Sequence, residues 1–308
     1  GRGWHQDKWD KKPDVMVKGF QTHEKLSAVS PNNPVFLNHA SGHAGFANAK
    51  AMQLAGVNQL SVEKLTAELN EGGEVIRDKN GNPTGIFNER AQGLIRKVIP
   101  ENTLESNTRA LELAMDACAR NGLTGFHDAG ASRDNIELFQ SFAASGKLKS
   151  RLYVMITGFD RALIRDWYKR GALVDPRGVT VRSIKLNCDG ALGSRGAWLL
   201  EPYTDRPDFS GMATFPMDSV LSTSRDALKY GFQVCSHAIG DRANREVLDR
   251  YETAFKENPS AKDHRFRIEH AQHLHPNDIP RFGQLGVIPA MQAVHLSSDR
   301  PWAIERLG

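Results

Sequence analysis

The chain has 308 residues, of which 40% are hydrophobic and 25% charged, with a formal net charge of +4. That suffices for one large buried core or two smaller ones. It excludes three classes: no apolar run nears the ~18–20 residues of a membrane span, no basic cluster suits nucleic acid, and Cys118, Cys188 and Cys235 are too scattered for a disulfide framework.

Taken in order, residues 1–100 predict a strand over 34–39, helices over 46–54 and 61–71, and turn chemistry from Arg77 to Gly85. We read this part as an insertion covering the mouth of a barrel. Residues 101–308 alternate instead. Helix 105–121, strand 123–127, helix 133–146, strand 151–157, helix 159–171 and strand 179–187 come first. After a long Gly-rich loop come helix 217–230, strand 232–237, helix 241–257, strand 265–270, helix 276–285 and strand 286–292. Such alternation implies parallel pairing with right-handed crossovers. An open doubly wound sheet would want a Gly-rich phosphate turn after its first strand, and there is none. A parallel α/β barrel is the better reading. Gly1-Arg2-Gly3-Trp4 and Arg306-Leu307-Gly308 read as cuts inside a larger protein, so the lack of a targeting segment says nothing of location, which stays unassigned with the cytoplasm favoured.

Three strand-like runs end on polar residues: Lys185 lies in one, His237 ends the next and His270 the one after. In a parallel barrel such strand ends converge on one face, where active sites are built. His237, in Ser-His-Ala-Ile-Gly-Asp-Arg-Ala, is a natural ligand for a divalent metal or, alternatively, a hydrogen-bonded core histidine. His270 repeats the arrangement one unit later, which favours the ligand reading. Lys185 sits in an apolar strand, where an unpaired ammonium is costly. It can pair with a carboxylate such as Asp189, take up carbon dioxide as a carbamate, or snorkel to the rim.

Further candidates surround these three. Arg195, in the glycine-rich loop after Asp189, can hold a carboxylate or carbonyl oxygen. His127 and Asp128 close the preceding strand, either as supports for the ligands or as a helix entry. His39 and His43 are placed to line a substrate pocket. Asp241 reads as the cap of the helix after His237. His273, His275 and Asp299 are read as bystanders.

These segments resemble the amidohydrolase superfamily, in particular its YtcJ-like branch, amidohydrolase family 3, which includes N-substituted formamide deformylase. The resemblance runs almost end to end: Gly3-Trp4 with Trp9, Gly42-His43-Ala44 with Asn48, Pro83-Thr84-Gly85, Gly122 to Asp128, Lys185 to Arg195, Ser236 to Ala243, Arg267 to Gln272, and Met291-Gln292. It implies a metal-dependent hydrolase of carbon–nitrogen bonds other than peptide bonds, on a (β/α)8 TIM barrel with a small β-sandwich. Deamination and ester cleavage are the neighbouring chemistries. The implied cofactor is a divalent metal, zinc by preference, as one or two ions. By motif, Lys185 (often carboxylated), His237 and His270 take three ligand positions, and Arg195 or His43 holds the oxyanion. The family's first-strand His-x-His and last-strand aspartate are not in the chain. We therefore expect an incomplete barrel lacking strands one and eight and the sandwich, active in the full-length parent and inactive as this fragment. The expected partner is a small-molecule substrate, with a homodimer left open. A homologue that only binds a small molecule is the competing reading.

Overall fold

In the computed structural model, which describes residues 1–57, 72–261 and 263–308, the two parts of the chain build different sheets. The first part contains β1 (Arg2–Trp4), β2 (Met16–Val17), β3 (Phe20–Gln21), β4 (Phe36–His39), β5 (Ala44–Ala47), β6 (Gly73–Arg77) and β7 (Pro83–Glu89). Five of them lie side by side in the order β1-β4-β5-β7-β6, with β1 parallel to β4 and the remaining pairs antiparallel. β2 and β3 form a small hairpin of their own.

Local chemistry explains this half. The turn residues between Arg77 and Gly85 make the β6–β7 hairpin, where Asp78 accepts from the backbone N–H of Asn80 and of Asn82, both at 2.8 Å. The helix expected from Phe46 is split. Phe46 belongs to β5, paired with Leu37 on one side and Ile86 on the other. The helix (Ala49–Leu54) starts only after Asn48, whose side-chain oxygen accepts from the Ala51 N–H at 3.0 Å. The helix expected over 61–71 falls outside the described residues.

The second part contains β8 (Gly125–Ala131), β9 (Arg151–Thr157), β10 (Leu173–Asp175), β11 (Val179–Asn187), β12 (Gln233–Ala238), β13 (Arg267–His270) and β14 (Ile288–Ala290). They form a curled, half-barrel sheet in the order β14-β13-β12-β11-β9-β8, every neighbour parallel. β10 is the exception. It hangs antiparallel on β11, turned back by Asp175, which chelates Arg177 at 2.9 and 2.8 Å. Three residues are too few for a periodic signal, so sequence reading ran past them.

Helices Leu104–Arg120, Arg133–Ala144, Arg161–Arg170, Met217–Tyr230 and Asp241–Glu257 intervene between the strands. Their starts are written in the sequence: Thr103, Ser132 and Asp160 each cap one through a side-chain oxygen, Ser132 in a reciprocal box with Asn135. One face of the sheet packs Val154, Ile156, Ile184, Leu186, Val234 and Ile268 into a common core with these helices. Each such side chain contributes roughly 1.5–3 kcal/mol by leaving water. The period-two pleat turns Tyr153, Lys185, Cys235, His237 and Arg267 to the opposite, concave face. That face is polar. No described helix is long and apolar enough to cross a membrane.

Candidate metal centre

β11, β12 and β13 are consecutive parallel neighbours, and register sets Asn187 opposite His237 and Ala238 opposite His270. Lys185 faces Cys235 on the same ladder. The rings of His237 and His270 meet edge to face at 4.5 Å between centroids. His270 and Ala271 both hold positive φ, 75° and 42°. Two successive non-glycine residues in that region cost of order 1–3 kcal/mol each, and such strain collects at functional sites.

The protonation states suit metal donors. Burial pushes the His237 pKa well below its ordinary value, and the positive charges of His43, Lys185 and His270 add to this. Burial lowers His270 to about 4, against the opposing effect of its hydrogen bond to Gln292. Both imidazoles are therefore neutral at pH 7. Amide and carbonyl oxygens only accept, which fixes the tautomers. His270 Nδ1–H donates to Gln292 Oε1 at 2.8 Å, leaving Nε2 as a lone pair. His237 Nε2 faces Gly190 O at 3.4 Å and Asp189 Oδ1 at 3.3 Å, which leaves Nδ1 as its lone pair. Metal-ligating histidines are oriented in this way, one ring nitrogen donating to an oxygen and the other free.

Lys185 is 6% exposed, and burial lowers its pKa to about 8. Its Nζ donates to Leu186 O at 3.1 Å and Asn187 Oδ1 at 3.3 Å, not to Asp189. Asp189 is occupied elsewhere: it accepts from the N–H groups of Trp198, Ile239 and Gly240 at 3.0, 3.0 and 2.8 Å. Burial nevertheless raises its acid to about 7. Among the described residues no three His, Cys, Asp or Glu side chains group as a metal cage. Beside the two imidazoles, on the next strand, stands a lysine. Two neutral imidazoles with free lone pairs and a lysine that deprotonates near pH 8 fit part of a divalent-metal donor set.

The N-terminal sheet adds His43, whose ring lies 4.9 Å from that of His237. Burial disfavours its charge, but Glu89, 2.8 Å from Nδ1, outweighs burial and raises its pKa. Glu89 escaped sequence reading, being 46 residues from its partner and in no motif.

Other candidates have different placements. Arg195 turns away: its guanidinium grips Asp205 at 3.1 and 2.7 Å and lies over Phe20, so its charge is already spent in a buried ion pair. Asp241 is not the cap. Gly240 holds that position, and Asp241 accepts from the Leu200 and Arg242 N–H groups, both at 2.9 Å. His127 accepts from Arg267 at 3.0 Å and packs on Tyr153 at 4.8 Å, on the concave face. Burial raises the acid of its neighbour Asp128. His273 lies 3.9 Å from Asp241, and His275 accepts from Asn277 N–H. Asp299 binds Gln272 at 2.7 Å beside His270, on the wall of a cleft of about 710 Å³ that Met291 and Leu296 also line.

His39 is wholly buried between Trp4 and His5, its Nδ1 2.8 Å from Ser41 Oγ, and burial lowers its pKa to about 3. It is a core histidine. Its folded pKa lies below the unfolded value of 6.5, so it contributes stability above pH 6.5 that is lost as pH falls toward about 3. The expected loss is at most about 5 kcal/mol. A curve of Tm against pH should fall steeply over that range, and His39→Gln should flatten its acid limb.

Comparison with known proteins agrees with this geometry. The profile described as "Amidohydrolase family" matches residues 1–308. The "Putative amidohydrolase YtcJ" of Bacillus subtilis (strain 168) is 31% identical over all of this chain and 55% of its own length. The N-substituted formamide deformylase of Arthrobacter pascens is 30% identical over 86% of this chain and 49% of its own. The chain thus spans about half the length of these curated relatives. An uncharacterized metal-dependent hydrolase from Pyrococcus horikoshii OT3 superposes with a TM-score of 0.69 at 26% identity, over 100% of this chain and 56% of that one. A profile matched from the first residue to the last places the chain in the amidohydrolase family.

Proposed function

We propose that the protein is a metal-dependent hydrolase of carbon–nitrogen bonds other than peptide bonds, with amides of the formamide type as substrates. What supports this reading is the placement of Lys185, His237 and His270 on three adjacent parallel strands, the two imidazoles in ring contact and each with one lone pair left free. These three would hold the ion. A divalent metal, zinc in our reading, supplies a Lewis acid and a water of lowered pKa. Gln292 and the Asp189–Gly190 oxygens orient the two rings. His43 stands against His237, where its ring can hold the carbonyl oxygen of a substrate bound at these strand ends.

On this reading residues 1–100 cover the strand ends, a role supported by His43 against His237 and by Arg90, which donates to Thr214 O at 3.1 and 2.7 Å. The curled sheet is then the middle of a (β/α)8 barrel. The test is metal content and hydrolysis of N-substituted formamides by the full-length protein, before and after chelation. One or two bound ions and chelator-sensitive turnover are expected. Metal-independent binding without turnover would favour the small-molecule-binding homologue instead.

A further inference from the structure

Glu89 carries more cost than its place in the fold explains. It ends β7 with φ at 49°, a left-handed conformation that is unfavourable for a residue with a side chain. Its side chain is 6% exposed, and Oε1 is buried without a hydrogen-bond partner. A buried carboxylate oxygen left unpaired is costly. The loop after β11 makes room for it with two glycines. A Cβ at Gly190 would lie 1.9 Å from Oε1, and one at Gly196 2.2 Å from it. The backbone closes the same contact, Glu89 N–H donating to His43 O at 2.8 Å.

What this arrangement achieves is a fixed ring. Oε2 takes the Nδ1 side of His43 at 2.8 Å, so Nε2 lies on the far side, and the ring stands 4.9 Å from His237. We propose that Glu89 is a positioning residue: its carboxylate accepts from Nδ1–H of the His43 imidazolium and holds the ring in one orientation, so that Nε2–H is presented to the carbonyl oxygen of a substrate beside Lys185, His237 and His270. Glu89 itself does not touch substrate. The proposal rests on the hydrolase reading for what His43 does there, but the fixing of the ring is a separate claim.

The experiment uses the full-length, metal-loaded protein and the variants Glu89→Ala, Glu89→Gln, His43→Ala and His43→Ala/Glu89→Ala. With an N-substituted formamide as probe, Glu89→Ala should lower kcat by about 100-fold, within the range for loss of one oxyanion-holding donor. KM and metal content should stay within about twofold of wild type. Glu89→Gln, whose amide oxygen can still accept from Nδ1–H, should recover to within about tenfold of wild type, and Glu89→Ala should add nothing to His43→Ala. A kcat for Glu89→Ala within about threefold of wild type at full metal content would overturn the proposal. So would an equal further loss in the His43→Ala background. The ring is read separately by NMR of nitrogen-15-labelled histidine. A hydrogen-bonded Nδ1–H resonance assigned to His43 should survive in Glu89→Gln and vanish in Glu89→Ala. Its persistence in Glu89→Ala refutes the positioning role whether or not the enzyme turns over, whereas an inactive wild type with an intact resonance counts against the hydrolase reading alone. If Glu89→Ala does not fold, Glu89→Gln with and without His43→Ala completes the same cycle.

Discussion

Lys185→Ala is expected to strip the full-length protein of bound metal and of activity together. Loss of a group that only orients a ligand costs about 10–100-fold in metal affinity, and loss of a ligand should exceed that. Burial has brought the Lys185 amine down to about 8, so a usable fraction is unprotonated near neutral pH. Such an amine can add carbon dioxide, forming an N–C bond and releasing one proton, and the resulting carbamate is an anionic donor. Reloading of metal-free protein should therefore accelerate with bicarbonate and as pH rises toward 8, followed by metal analysis and hydrolysis rate. Short carboxylic acids should partly restore both in Lys185→Ala. Activity within a few-fold of wild type would make Lys185 a rim residue, the alternative its position in an apolar strand also allowed.

A large loss of stability is expected from Gly240→Ala. A Cβ there would stand 2.0 Å from Trp198 O, 2.5 Å from its carbonyl carbon and 2.7 Å from its N. All three are backbone atoms, and no rotamer can yield. The φ of Gly240 is −70°, so the penalty is steric rather than torsional. Relief requires the loop carrying Trp198 to move, which breaks the 3.0 Å bond from Trp198 N–H to Asp189. Overpacking of this kind costs about 3 kcal/mol or more. Gly93→Ala is the control: it lies in the helix Gln92–Arg96 with nothing within 4 Å of its Cβ, and it should stabilise by about 0.5–1 kcal/mol. Urea unfolding midpoints of the two variants decide the matter.

The parallel half of the fold was legible because its signals are local and repeated. Apolar periodicity and flanking Gly and Pro place the helices Met217–Tyr230 and Asp241–Glu257 and the strands β9 and β11 at the limits expected from the sequence. The N-terminal sheet was harder. Phe46 reads equally well in a helix or a strand, and only its partners Leu37 and Ile86 decide. The site divides in the same way. Lys185, His237 and His270 announce themselves by ending strands, whereas Glu89 is recognisable only once two sheets face each other. Arg195 misled for a related reason: a glycine-rich loop beside a strand end suggests an anion holder, yet its partner Asp205 lies only ten positions on and consumes the charge.

Asp189 has a consequence for how the molecule is assembled. Its carboxylate gathers N–H groups from Trp198 and from Ile239 and Gly240, the last of these 51 residues away. Closing so long a loop costs chain entropy before any contact returns it. Helices and neighbouring strands form from near contacts, but the pocket floor waits until β12 has docked on β11 and the loop between them has folded back. The site is thus expected to form late in folding, gaining protection from hydrogen exchange after the flanking helices, because its geometry depends on long-range closure rather than on any segment on its own.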